Sequence, residues 1–169
     1  MLLEANFIKK YAPQFNIKLT DGKAYPLIRI TIKDKYPKVL IARRADDKNA
    51  IYFGPYPNSG SMREVIRTIR RIFPFQSVLN HPKKICLFYH LGICPCPTVF
   101  DSENLRKTYK KDINHIVQFL KGDINKVILS LEKERNLESK KENFEEAQNV
   151  QKKIEAIRLI TSYAYKPFE

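Results

Sequence analysis

An α+β fold follows from three features of this 169-residue chain. Residues 14–44 have the texture of short strands separated by turn signals, residues 61–73 repeat apolar side chains at helical spacing, and the segment beyond residue 101 reads as a run of helices. Together they predict a short N-terminal helix, a small antiparallel sheet, a basic amphipathic helix, a cysteine loop and a C-terminal helical module ending in an antiparallel helix hairpin.

The first helix is expected over residues 2–12, where Leu3, Phe7, Ile8 and Tyr11 share a face and Pro13 ends the run. Met1 leads into it without a cap, so the chain is expected to be part of a longer one. Strands are expected over residues 15–19, 25–32 and 39–43, with Asp21-Gly22 and Pro37 as punctuation. The stretch Tyr52-Phe53-Gly54-Pro55-Tyr56-Pro57 is too rich in proline for a central strand and reads as a rigid aromatic turn. Ser61 stands three residues before Glu64, the signature of a capping box. Met62, Val65, Ile66, Ile69, Ile72 and Phe73 then recur on one helical face, and Arg63, Arg67, Arg70 and Arg71 fall on the other. A loop with prolines and cysteines spans residues 74–100. Helices are expected over 102–121, 124–139 and 143–162, with a break at Gly122-Asp123. The last two should pair, because Ile124, Val127, Ile128 and Leu131 can face Ala147, Val150, Ile154 and Ile157.

The composition, 43% hydrophobic and 29% charged, is that of a soluble globular protein and excludes a disordered chain. No apolar run approaches a membrane span and no signal-peptide pattern opens the chain, so a cytoplasmic location is expected. The net charge of +13 points to a polyanionic partner. Its distribution narrows this: residues 1–80 hold 15 basic and 6 acidic residues, whereas residues 132–158 are balanced at seven each. The first half is therefore suited to nucleic acid and the end to something else. Arg63, Arg67, Arg70 and Arg71, with Arg43 and Arg44 expected on a neighbouring strand, are the candidates for DNA-phosphate contact, positioning a backbone without reading sequence. A solvated helix face would carry the same pattern. Cys86, Cys94 and Cys96 lie within eleven positions of one another in an otherwise cysteine-free chain, which argues for metal binding or packing over a disulfide framework.

Several stretches resemble the UvrC family, the subunit of the bacterial UvrABC excinuclease that cuts DNA beside a lesion. Leu2-Leu3-Glu4-Ala5-Asn6-Phe7-Ile8-Lys9-Lys10-Tyr11, with Pro13 and Asn16, resembles the end of its GIY-YIG nuclease domain. Asp21-Gly22-Lys23-Ala24-Tyr25-Pro26 and Tyr52-Phe53-Gly54-Pro55-Tyr56 resemble two of its turns, and Phe73-Pro74-Phe75, Cys86-Leu87-Phe88-Tyr89-His90-Leu91-Gly92-Ile93-Cys94 and Phe119-Leu120-Lys121-Gly122 follow in family order. Phe144-Glu145-Glu146-Ala147 resembles the core of the UVR helix pair, which docks onto UvrB. Each match is short, and the ordered set carries the resemblance.

The resemblance implies three units: residues 1–19 as the end of the GIY-YIG domain, 20–100 as the central region with the basic helix and cysteine loop, and 101–169 as a helical module with the UVR-like hairpin. The GIY and YIG strands and the catalytic arginine would lie ahead of Met1, and the second nuclease half beyond Glu169. Glu4 takes the position of the family's ligand for catalytic Mg²⁺ or Mn²⁺, with Asn16 as the second position of that site, which is incomplete here. The family's loop carries four cysteines for an iron–sulfur cluster. Cys86 and Cys94 match two of them, Val78 and Thr98 stand at the others, and Cys96 adds a third thiol that His81 or His90 would have to supplement. An empty, packed loop is expected ahead of a bound cluster. Phe144, Glu145, Ala147, Ile154 and Ile157 match the UvrB-binding pattern, while Gln151-Lys152 and Arg135 depart from it. The function implied is that of the part of UvrC joining the 3′-side nuclease to UvrB on damaged double-stranded DNA. A non-catalytic adaptor that binds DNA and recruits UvrB, and a small nuclease completed by an oligomer partner, are the rival readings.

Overall fold

The computed structural model describes residues 25–163. The expected helix over 2–12, the strand over 15–19 and the Asp21-Gly22 turn, with Glu4 and Asn16, lie outside the described residues. Three strands form one antiparallel sheet in the order β2-β1-β3: β1 is Leu27–Thr31, β2 Val39–Ala42 and β3 Ala50–Phe53. Five helices follow among the described residues: α1 Ser59–Ile72, α2 Leu87–His90, α3 Glu103–Lys121, α4 Ile124–Lys140 and α5 Phe144–Tyr163. The architecture is α+β, as the sequence predicts.

β1 is central because it is the strand whose alternate residues are most apolar: Ile28 and Ile30 are fully buried. Its register places Ile28 between Ile41 and Phe53, and Ile30 between Val39 and Ile51. β3 corrects the sequence reading, since Tyr52 and Phe53 are paired strand residues and the turn begins only at Gly54. The prolines that argued against a central strand are compatible with this edge position, where the chain leaves the sheet at once. Gly54 has φ +128°, and a Cβ there would meet the Leu27 side chain at 3.0 Å, so the exit from the sheet requires glycine. Phe53 and Tyr56 pack against the core behind it.

α1 also starts differently from expectation. Its N-cap is Asn58, whose side-chain oxygen accepts from the Ser61 amide at 2.7 Å; Ser61 lies inside the first turn and no Ser61–Glu64 capping box forms. Asn58 reaches an orphan amide three residues on as well as serine would, and the prolines before it keep the preceding chain extended. The apolar face behaves as its spacing predicts: Met62, Ile69, Ile72 and Phe73 are buried, and Val65 and Ile66 pack against the core.

Beyond the cysteine loop, Ser102 caps α3 by accepting from the Leu105 amide at 3.1 Å. Gly122 ends that helix at φ +86°, a left-handed cap that glycine adopts without a Cβ penalty. α4 and α5 form the expected antiparallel hairpin, with Val127 and Leu131 of α4 buried against Ala147, Val150, Ile154 and Ile157 of α5. One continuous core joins these residues to α3 through Ile113 and Ile116, to α1, and to the sheet. Tyr109 of α3 fastens the layers: its hydroxyl donates to the Pro37 carbonyl at 2.6 Å and accepts from the Gln76 amide at 3.0 Å. No described helix is long and apolar enough to cross a membrane.

Candidate functional site

Two features stand side by side on α1: an exposed arginine face and the cysteine loop, which folds against the end of the helix. Arg63, Arg67 and Arg71 project into solvent from α1, and Arg43 and Arg44 are exposed in the bend just after β2, one step beyond the strand expected to hold them. Among the described residues none of these five pairs with an acid. Basic Arg70 and Arg71 in the last turn of α1 also suit the negative end of its dipole.

Arg70 is placed apart from the other five of its sequence group. It is half-buried, its guanidinium 4.3 Å from the Phe88 ring centroid and 5.5 Å from that of Phe75, and its Nε donates to the Ile93 carbonyl at 2.9 Å. It is the strut that holds the cysteine loop on α1. Sequence spacing could not separate it from Arg71, because the loop that captures it begins after the helix ends.

The loop gathers four donor side chains. His81 Nε2 is 3.5 Å from Cys94 Sγ and 3.7 Å from Cys96 Sγ, and Cys96 Sγ is 3.2 Å from Cys86 Sγ. All four donor atoms lie within 4.8 Å of one another. His81 Nδ1 faces the Pro82 carbonyl at 2.9 Å and Thr98 Oγ1 at 2.8 Å, while the Thr98 hydroxyl donates to the same carbonyl at 3.0 Å. Two acceptors at Nδ1 put the ring proton there and leave the Nε2 lone pair directed at the sulfurs. Of the two histidines the sequence offered, the structure thus brings in His81. His90 is exposed and stands edge-on to Tyr89. Val78 is exposed outside the cluster, and Thr98 serves it only through His81.

The thiols differ. Burial pushes the Cys94 thiol up to about 12 and raises that of Cys96 as well. Burial also opposes the Cys86 thiolate, but hydrogen bonding, led by that from the Cys96 thiol, outweighs it and brings Cys86 down to about 7. Cys96 itself holds a positive φ of 42°, an uncommon backbone for a residue with a Cβ, which turns its sulfur back toward Cys86.

The third group of candidates divides. Ala147, Ile154 and Ile157 are buried in the protein's own core, whereas Phe144, 67% exposed, and Glu145 sit free at the start of α5 beside the turn. Arg135 bonds across the hairpin to Gln151 Oε1 at 2.8 Å, so two departures from the family pattern partner one another. Elsewhere in the helical module some of the charges are paired: Lys153 with Asp112, Arg158 with Glu132, Lys141 with Glu138.

Residues 25–119 match the family model described as "UvrC/Cho excinuclease, middle domain". This segment includes the sheet, α1, the cysteine loop and most of α3. No solved structure matches the chain.

Proposed function

The chain belongs to the UvrC/Cho excinuclease family, whose work is nucleotide excision repair, and on that premise we propose that it is the segment linking the 3′-side nuclease to UvrB on damaged double-stranded DNA. The observation that carries the DNA contact is the set of five exposed arginines without acidic partners among the described residues. Unpaired guanidinium groups on one face of a helix and in the bend after β2 release counterions from phosphates on binding, whereas paired ones would first have to give up their own partners. Contact of this kind follows the backbone and is indifferent to sequence.

The link to UvrB is assigned to the tip of the α4–α5 hairpin. Phe144 is a large aromatic side chain left in solvent beside an exposed carboxylate, Glu145, and it can enter a groove on a second hairpin. The buried stripe of α5 supports this tip from behind and is not itself free to dock.

The test of the DNA contact is binding to a fluorescent lesion-bearing duplex over a range of salt concentrations. Affinity should fall steeply with salt, and replacing Arg63, Arg67 and Arg71 together with alanine should flatten the log–log slope by about 3 units, roughly 0.9 per lost phosphate contact. An unchanged slope in the triple variant would make the arginine face a solvated surface and overturn the proposed contact.

A further inference from the structure

The resemblance to the UvrC family implies an iron–sulfur cluster in the cysteine loop, and the donor atoms of this chain do not fit one. In a cubane cluster each ligand caps a different iron at alternate corners of a cube, which holds the ligating atoms about 6 Å apart. Here all four lie within 4.8 Å of one another, and the measured neighbouring pairs are separated by 3.2 to 3.7 Å. A single tetrahedral ion with metal–sulfur bonds near 2.3 Å and metal–nitrogen bonds near 2.0 Å requires about 3.8 Å between sulfurs and about 3.5 Å between sulfur and nitrogen. The two sulfur–nitrogen distances, 3.5 and 3.7 Å, lie within about 0.2 Å of the latter value, and the one close sulfur pair must open by about half an ångström.

We propose that His81, Cys86, Cys94 and Cys96 form a closed Cys3His site for one divalent zinc ion, a structural centre distinct from the cluster of the family.

On the resemblance, Val78 and Thr98 stand at two of the family's cysteine positions, and the donors present here, His81 and Cys96, lie three residues after the first and two before the second. Both shifts shorten the span of the loop between donors, which draws the ligand atoms onto one point. Thr98 is retained in a second role, orienting the His81 ring through Nδ1 as ligating histidines are commonly oriented. Binding would convert three thiols to thiolates, with three protons released to solvent, and give the site a net charge of −1. Arg70, stacked on Phe88 and tied to Ile93, stands beside it to balance that charge. All four ligand positions are supplied by the chain, so none is left for a reacting molecule. The ion's role is to fix the loop against α1.

The experiment is metal analysis of the full chain purified without added metal, followed by anaerobic reconstitution with zinc, with cobalt(II), and with iron plus sulfide. The expected results are about one zinc per chain and, on cobalt substitution, the intense visible absorption of a tetrahedral thiolate site. Thr98→Val, which keeps every ligand, should weaken zinc binding about tenfold. Cys96→Ser should abolish stoichiometric zinc, whereas His81→Cys, with four thiols, should retain it. If Cys96→Ser does not fold, chelator competition on the unmodified chain and on Thr98→Val still decides. Stoichiometric iron and sulfide, lost in Cys86→Ser, would overturn the proposal in favour of a cluster. A chain that takes up neither metal, and whose melting temperature is indifferent to zinc and to chelator, would overturn it in favour of a packed thiol loop.

Discussion

The sheet-and-α1 half of the molecule and its helical half both carry many cations, but they use them differently. On α3, α4, α5 and the turn between the last two, Lys107, Lys111, Lys126, Lys141, Lys153 and Arg158 each lie beside a carboxylate, while Lys110, Lys121, Lys133, Lys140 and Lys152 form no ion pair among the described residues. On α1 and the bend after β2, Arg43, Arg44, Arg63, Arg67 and Arg71 have no such partner among the described residues. Apolar surface shows the reverse. The stripe of α5 is covered by its own core, while the cysteine loop leaves Leu87 and Leu91 at 71% and 60% exposure. A basic sequence is therefore not uniformly a nucleic-acid surface, because neutralised cations contribute to folding and only the unpaired ones remain available to phosphate.

The strongest way to break this comparison is through the hairpin core. Ile154 is 1% exposed, so Ile154→Ala should cost about 2 to 5 kcal/mol of folding stability, read by chemical denaturation. Duplex affinity of the fraction that remains folded should be unchanged. A loss of DNA affinity without a loss of stability would place phosphate contacts on the helical half instead.

Phe144 tests the exposed aromatic anchor proposed for that half. Phe144→Ala should cost about 2 kcal/mol in binding to the end segment of UvrB, roughly thirtyfold in affinity by calorimetric titration, while the melting temperature stays nearly constant. No detectable binding by the unmodified chain, or a large drop in melting temperature, would remove the docking role.

Arg70 and Arg71 are adjacent and chemically identical, which makes them the sharpest internal control. Arg70→Ala removes two ring contacts and a hydrogen bond, and should cost about 1 to 2 kcal/mol of stability. Arg71→Ala should stay within about 0.5 kcal/mol and act on DNA affinity. Equal effects of the two on stability would contradict the division between strut and free charge.

The smallest effect is a pH dependence. Burial holds the His115 imidazole below its ordinary value, against the opposing influence of Asp112 and Glu134. As pH falls below about 6.5 the unfolded chain therefore takes up a proton before the folded one, and stability declines until the folded value is reached. Lys153 and Lys111 also face this ring and favour its neutral form. The carboxyl of Asp112, raised by burial, acts in the opposite sense at lower pH. Comparing melts of the unmodified chain and His115→Phe from about pH 7 to about pH 5.5 isolates the histidine. Parallel curves would show that it does not contribute.

What the sequence determined by itself is what local periodicity and backbone chemistry control. The apolar faces of α1, α4 and α5 and the end of α3 at Gly122 depend on spacing or on a φ that only glycine adopts readily. The near miss at the start of α1 has the same local origin: Asn58 and Ser61 are both competent caps, and a choice between neighbours three residues apart depends on where the preceding chain comes from. The sequence also contained both histidines and all three thiols. Only the tertiary structure decided which of them meet, because His81, Cys86, Cys94 and Cys96 come together through a loop whose path is dictated by Arg70 and by the packing of Phe73 and Phe75. In the same way it turned Arg70 inward, covered Ala147, Ile154 and Ile157, and left Phe144 in solvent. Such outcomes depend on which surfaces remain after distant segments have packed, and a periodic pattern can mark a side chain as apolar or charged without saying what will cover it.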